Sequence, residues 1–159
     1  MRSDETASVV AEATVEIPLS SHAPGVARRV VDKCLADQVR PSVLENARLV
    51  VSELVANSVR HSGAAAGDQV VVRVHLWRDV CRLEVEDPGC DGAIAPQAED
   101  LANGTRMGLN LVQLLSQRWG VVRATAGPTR VWAQLSCAPT VSDARPGPNG
   151  GPPRATRIA

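Results

Sequence analysis

Hydrophobic and polar positions along residues 14–137 repeat with the periods of strands and helices, and outside those limits the patterning fades. Thr14-Val15-Glu16-Ile17-Pro18-Leu19 alternates as a half-buried strand does, with Pro18 suited to a strand end or an edge. From Pro24 the spacing of Val26, Val30, Val31, Cys34 and Leu35 predicts a first helix with the proline in its first turn. A longer helix follows, with Pro41 or Ser42 at its start, Leu44, Ala47, Val51, Leu54, Val55 and Val59 on one side, and Ser62-Gly63 at its end. Gln69 to Trp77 and Val80 to Asp87 alternate on either side of a turn at Arg78-Asp79, which predicts a hairpin. Pro88 to Arg106 has no period and reads as a long loop, a third helix runs from Met107 to Gln117, and two short strands follow at 120–124 and 130–137 with Gly127-Pro128 between them. The order β-α-α-β-β-loop-α-β-β predicts an α+β fold. It is a two-layer sandwich in which helices cover one face of a mixed, mainly antiparallel sheet.

The ends differ from the middle. Residues 138–159 hold five prolines and three glycines in 22 positions and almost no large apolar side chain, so they cannot bury enough surface to offset their chain entropy. The reading is a flexible N-terminus over 1–13, one folded domain over 14–137 and a disordered tail over 138–159.

Composition narrows the function. Seventeen basic residues balance seventeen acidic ones, and three tryptophans are the whole aromatic content, so neither a basic footprint nor a set of base-stacking platforms is present for nucleic acid. No apolar run reaches the roughly 20 residues that span a bilayer, and acidic residues stand where a signal peptide would be apolar, which reads as a cytoplasmic protein. Cys34, Cys81, Cys90 and Cys137 show no metal-binding spacing and are read as free thiols.

Three segments carry candidate chemistry. On the second helix Glu53 and Asn57 stand four apart, with Arg60 and His61 one turn on, on the side away from the apolar stripe. A carboxylate there can take a proton, an amide oxygen can ligate a hard cation, and a guanidinium suits phosphate oxygens; a plain solvated helix face has the same look. Asp87-Pro88-Gly89 ends a predicted strand, where a carboxylate can accept from an exocyclic amine and a glycine lets a flat ring approach, although the same residues make an ordinary turn. Asn103-Gly104-Thr105-Arg106-Met107-Gly108-Leu109 leads into a helix, and such a loop aims backbone N–H groups at an anion.

In this order and spacing the segments resemble the GHKL ATPases, most closely the bacterial anti-sigma-factor serine kinases and small stand-alone regulators of that domain type. The N-box is similar to Glu53-Leu-Val-Ala-Asn57-Ser-Val-Arg60-His61, the G1 box to Asp87-Pro88-Gly89, and the G2 box to Gly104-Thr-Arg106-Met-Gly108-Leu109. Arg118-Trp119-Gly120 and the strand from Thr129 add to the resemblance, which covers 14–137. It implies the Bergerat-type ATP-binding fold, with ATP and Mg²⁺ as cofactors and serine/threonine kinase activity. Glu53 would activate the attacking hydroxyl, Asn57 would hold Mg²⁺, Asp87 would take the adenine amino group, and Gly89 would pack against the ring. Gly104 and Gly108 would shape a lid over the phosphates, Arg60 and His61 would lie near the phosphates or the lid, and Thr129 would lie near the adenine. Implied partners are a sigma factor and an antagonist protein, with a homodimer common among such kinases. The G2 box departs from the family pattern at its central position, where Arg106 replaces a glycine and either hinders lid closure or contacts phosphate itself. A non-catalytic nucleotide-binding module is the alternative.

Overall fold

A computed structural model describes residues 8–61, 67–89, 107–124 and 127–138, without the side chains of His61, Met107 and Gly108. Residues 1–7, the predicted loop beyond Gly89 as far as Arg106, and the segment 139–159 lie outside the described residues. The elements run β1 (Ala11–Pro18), α1 (Ala23–Leu35), α2 (Pro41–His61), β2 (Gln69–Leu76), β3 (Val80–Asp87), α3 (Met107–Leu115), β4 (Arg118–Arg123) and β5 (Thr129–Ser136). The strands form one sheet in the order β1-β2-β3-β5-β4. All four pairings are antiparallel, in keeping with the mainly antiparallel sheet read from the sequence.

Register explains the layering. Ile17 stands opposite Val70, Val72 opposite Val85, Leu83 opposite Ala133 and Val121 opposite Val131, which places apolar residues across the inner face of every strand. α1 lies over β1 and β2, α2 over β3 and β5, and α3 against α2 and β4. In α1 the buried positions Ala23, Ala27, Val31 and Leu35 form an i, i+4 row whose alanines allow close packing, while Val26, Val30 and Cys34 are partly buried at its flank. Pro24 sits in the first turn as expected, and Lys33 in the last turn suits the negative end of the helix dipole.

The core holds no Phe, Tyr or fully buried Trp. Ile17, Leu35, Leu54, Leu83 and Leu135 are its largest fully enclosed side chains, each stabilising the fold by about 1.5–3 kcal/mol relative to exposure. The other sheet face is polar. There Glu86 accepts from Arg130 at 2.6 Å and from Arg73 at 3.3 Å, Glu84 accepts from Arg82 at 2.6 Å, and the Arg82 guanidinium lies 4.2 Å from the centre of the Trp132 ring. Gly120 makes room for that indole, since a Cβ there would lie 2.9 Å from Trp132 Cζ2.

Several boundaries differ from the sequence reading. β1 begins at Ala11 instead of Thr14, because Ala11, Glu12 and Ala13 pair with Leu76, His75 and Val74. α2, by contrast, starts at Pro41 as read, with the Arg40 carbonyl accepting from Leu44 N–H at 3.0 Å. α3 stops at Leu115, before the predicted Gln117, because Gln117 N–H turns to the Gln134 carbonyl at 2.8 Å and opens β4.

Candidate functional site

α2 carries the first group of candidate residues. Val50, Val51, Leu54 and Val55 are buried against the sheet, which leaves Glu53 and Asn57 half-buried along one side of the helix and Arg60 exposed a turn later. Arg60 Nη2 donates to Asn57 Oδ1 at 2.6 Å. The Asn57 Nδ2 is buried and has no hydrogen-bond partner among the described residues. His61 is the last residue of α2, with its side chain outside the described residues.

The second group sits where β3 and β5 end side by side. Asp87 stands opposite Thr129 in the register, and both are buried on the inner face, among the few buried polar residues of the described chain. An unpaired buried carboxylate is costly, and here the chain supplies a partner from its own turn: Gly89 N–H donates to Asp87 Oδ1 at 2.9 Å. That turn requires glycine twice over. Gly89 has φ +102°, and a Cβ there would overlap the Gly127 carbonyl oxygen and lie 3.7 Å from Thr129 Oγ1. Asp87, Gly89 and Thr129 are therefore brought together, around a bare backbone wall. Sequence reasoning missed Gly127, which it read as half of a turn; its carbonyl is what Gly89 faces across the strand ends.

α2, which carries Glu53 and Asn57, packs on both β3 and β5, the strands whose ends carry Asp87 and Thr129. Gly108 is the second residue of α3, while Gly104 and Arg106 lie outside the described residues. A groove of about 370 Å³ opens beside the start of α2, lined by Arg40, Ser42 and Asn46 with the end of α3 and of β5, and it contains none of these candidate residues.

A family model for the histidine kinase-, DNA gyrase B- and HSP90-like ATPases matches residues 43–139, from the first turn of α2 past the end of β5. The chain belongs to this ATPase family. A search of curated proteins finds no match. Membership makes the chain an ATP-binding domain of the histidine kinase-like type, and the match encloses every candidate residue. No helix among the described residues is long and apolar enough to cross a membrane.

The residues fit the nucleotide and cation that such a domain uses. Asn57 offers a hard amide oxygen on its exposed side, where it already accepts from a cationic guanidinium. No cluster of three or more His, Cys, Asp or Glu side chains is gathered among the described residues, so a cation here would take most of its ligands from phosphate oxygens and water, as Mg²⁺ commonly does. Asp87 and the glycine wall suit a flat amine-bearing ring, held by a charge-assisted hydrogen bond without aromatic stacking.

Proposed function

We propose that the chain is an ATP-dependent serine/threonine protein kinase that regulates transcription through protein contacts. It binds a sigma factor and phosphorylates a serine or threonine of an antagonist protein. The observation that supports this reading is Glu53 on α2, one turn before Asn57, half-buried on a helix that packs against β3, the strand that ends in Asp87. Asp87 and Gly89 orient the adenine, Thr129 lines the same corner, and Asn57 with Arg60 faces the phosphates. Glu53 takes the proton of the substrate hydroxyl as its oxygen bonds to the γ-phosphorus and the bond to the ADP oxygen breaks. Mg²⁺ bound at Asn57 supplies electrostatic stabilisation of the transferring group. Gly104, Arg106 and Gly108 belong to the segment that would cover the phosphates.

Arg106, in place of the usual glycine, favours a second reading in which the domain binds nucleotide and transfers no phosphate. Labelled ATP, Mg²⁺ and candidate antagonist proteins are incubated with the wild type and with Glu53→Ala. Transfer that disappears in the variant supports the kinase. Tight ATP binding with no transfer to any partner overturns it in favour of the binding module.

A further inference from the structure

We propose that Arg60 is a positioning residue that occupies the cation position of Asn57 in the ligand-free protein and must leave it when a divalent cation arrives. The inference rests on the nucleotide-site reading above and concerns how that site is regulated. Its basis is the state of the two ends of one amide. Oδ1, the only atom of the Asn57 side chain able to coordinate a hard cation, accepts a 2.6 Å hydrogen bond from a guanidinium, while Nδ2 is buried without a partner among the described residues. A cation already sits on the oxygen, and it is the protein's own.

The geometry makes this occupation reversible on one side only. The i, i+3 spacing puts both side chains on the same helical face one turn apart. Asn57 is half-buried with its Nδ2 enclosed, so the amide is held with oxygen outward and nitrogen inward, whereas Arg60 is exposed on a long flexible stem. A guanidinium and a divalent cation cannot share one amide oxygen without like-charge repulsion. Cation binding therefore requires Arg60 to swing away, and the phosphates that come with the cation give the guanidinium an alternative acceptor. The pair thus keeps the amide pre-oriented while opposing the cation, because each cation bound at Asn57 breaks one hydrogen bond of the ligand-free protein.

The test compares wild type, Arg60→Ala and Arg60→Lys. In ligand-free protein, the Asn57 carboxamide ¹⁵N–¹H₂ resonances are expected to shift in Arg60→Ala, with the backbone spectrum otherwise preserved. By calorimetry, the ratio of the Kd for ATP in EDTA to the Kd for ATP with saturating Mg²⁺ is expected to rise about five- to tenfold in Arg60→Ala, the scale of one displaced hydrogen bond. Arg60→Lys is expected to give an intermediate ratio. A carboxamide signal that ignores the substitution, or an unchanged or reduced ratio, overturns the proposal, because a residue that merely contacts phosphate would weaken both affinities alike. Failure of the wild type to bind ATP at all overturns the nucleotide-site reading, and the carboxamide signal then still decides whether Arg60 holds Asn57.

Discussion

Gly89→Ala perturbs the turn after β3 whose N–H holds the carboxylate of Asp87, and the structure allows its cost to be separated into two parts. The first is conformational: at φ +102° a Cβ costs of order 1–2 kcal/mol. The second is steric, because the new methyl would overlap the Gly127 carbonyl oxygen, which is backbone and can give way only if the turn before β5 shifts; overpacking of this kind costs about 1–3 kcal/mol. Gly67 isolates the first part, since it has φ +99° with nothing among the described residues within 4 Å of the Cβ position. Urea unfolding of wild type, Gly67→Ala and Gly89→Ala should therefore show Gly67→Ala destabilised by about 1–2 kcal/mol and Gly89→Ala by about 2–5 kcal/mol. The folded Gly89→Ala protein should also bind ATP more weakly, because displacing the turn disturbs the 2.9 Å hydrogen bond that orients Asp87. Equal midpoints for the two variants, or unchanged ATP affinity in Gly89→Ala, would refute the close backbone approach as the reason glycine stands at this position.

Two further predictions concern groups outside the site. The hydrogen bond from Arg130, opposed by burial and reinforced by Arg73, holds the Glu86 carboxyl below the usual carboxylate range. Because the folded value lies below the unfolded one, its stabilisation is complete above about pH 4.3 and is lost as the pH falls through the folded value. Glu86→Gln should lower stability at pH 7 by about 1 kcal/mol and by progressively less below pH 4, as read from urea midpoints; a penalty independent of pH would contradict the ion-pair account. Burial, together with the neighbouring Cys137 and Cys34 thiols, pushes the Cys81 thiol up. Iodoacetamide at pH 8 should leave Cys81 unmodified in native protein and modify it after unfolding, which peptide mass mapping checks; native alkylation at Cys81 would show that β3 is not enclosed as described.

What could be read in the sequence was what local periodicity encodes. Val70, Val72, Val74 and Leu76 alternate because their strand has one buried face, and the hairpin to β3 followed directly from Arg78-Asp79. The start of β1 was obscured because Ala11 and Ala13 carry little hydrophobic signal; their strand character comes from pairing with β2, far along the chain. The mainly antiparallel sheet is legible from its two hairpins, β2 to β3 and β4 to β5. Its antiparallel outcome depends on β5, not β4, lying beside β3.

The site divides in the same way. Glu53, Asn57 and Arg60 were legible as a set because helical spacing alone places them together, and the Arg60 to Asn57 hydrogen bond follows that spacing. Asp87 reads in sequence both as an amine-accepting carboxylate and as an ordinary turn residue, and its burial opposite Thr129 arises only from the β3–β5 register. The role of Gly127 was invisible for the same reason, as its carbonyl meets Gly89 across two strands. The ion pairs of the outer sheet face join β2, β3 and β5, and no local pattern announces them.

The central claim, that the strand ends of β3 and β5 with α2 form an adenine nucleotide site, is tested most directly by calorimetric titration of ATP with Mg²⁺ into the wild type and Asp87→Asn. The account predicts saturable binding at one site per chain in the wild type and at least about tenfold weaker binding in the variant, the scale of one charge-assisted hydrogen bond. Absence of binding in the wild type, or equal affinity in the two proteins, would contradict it.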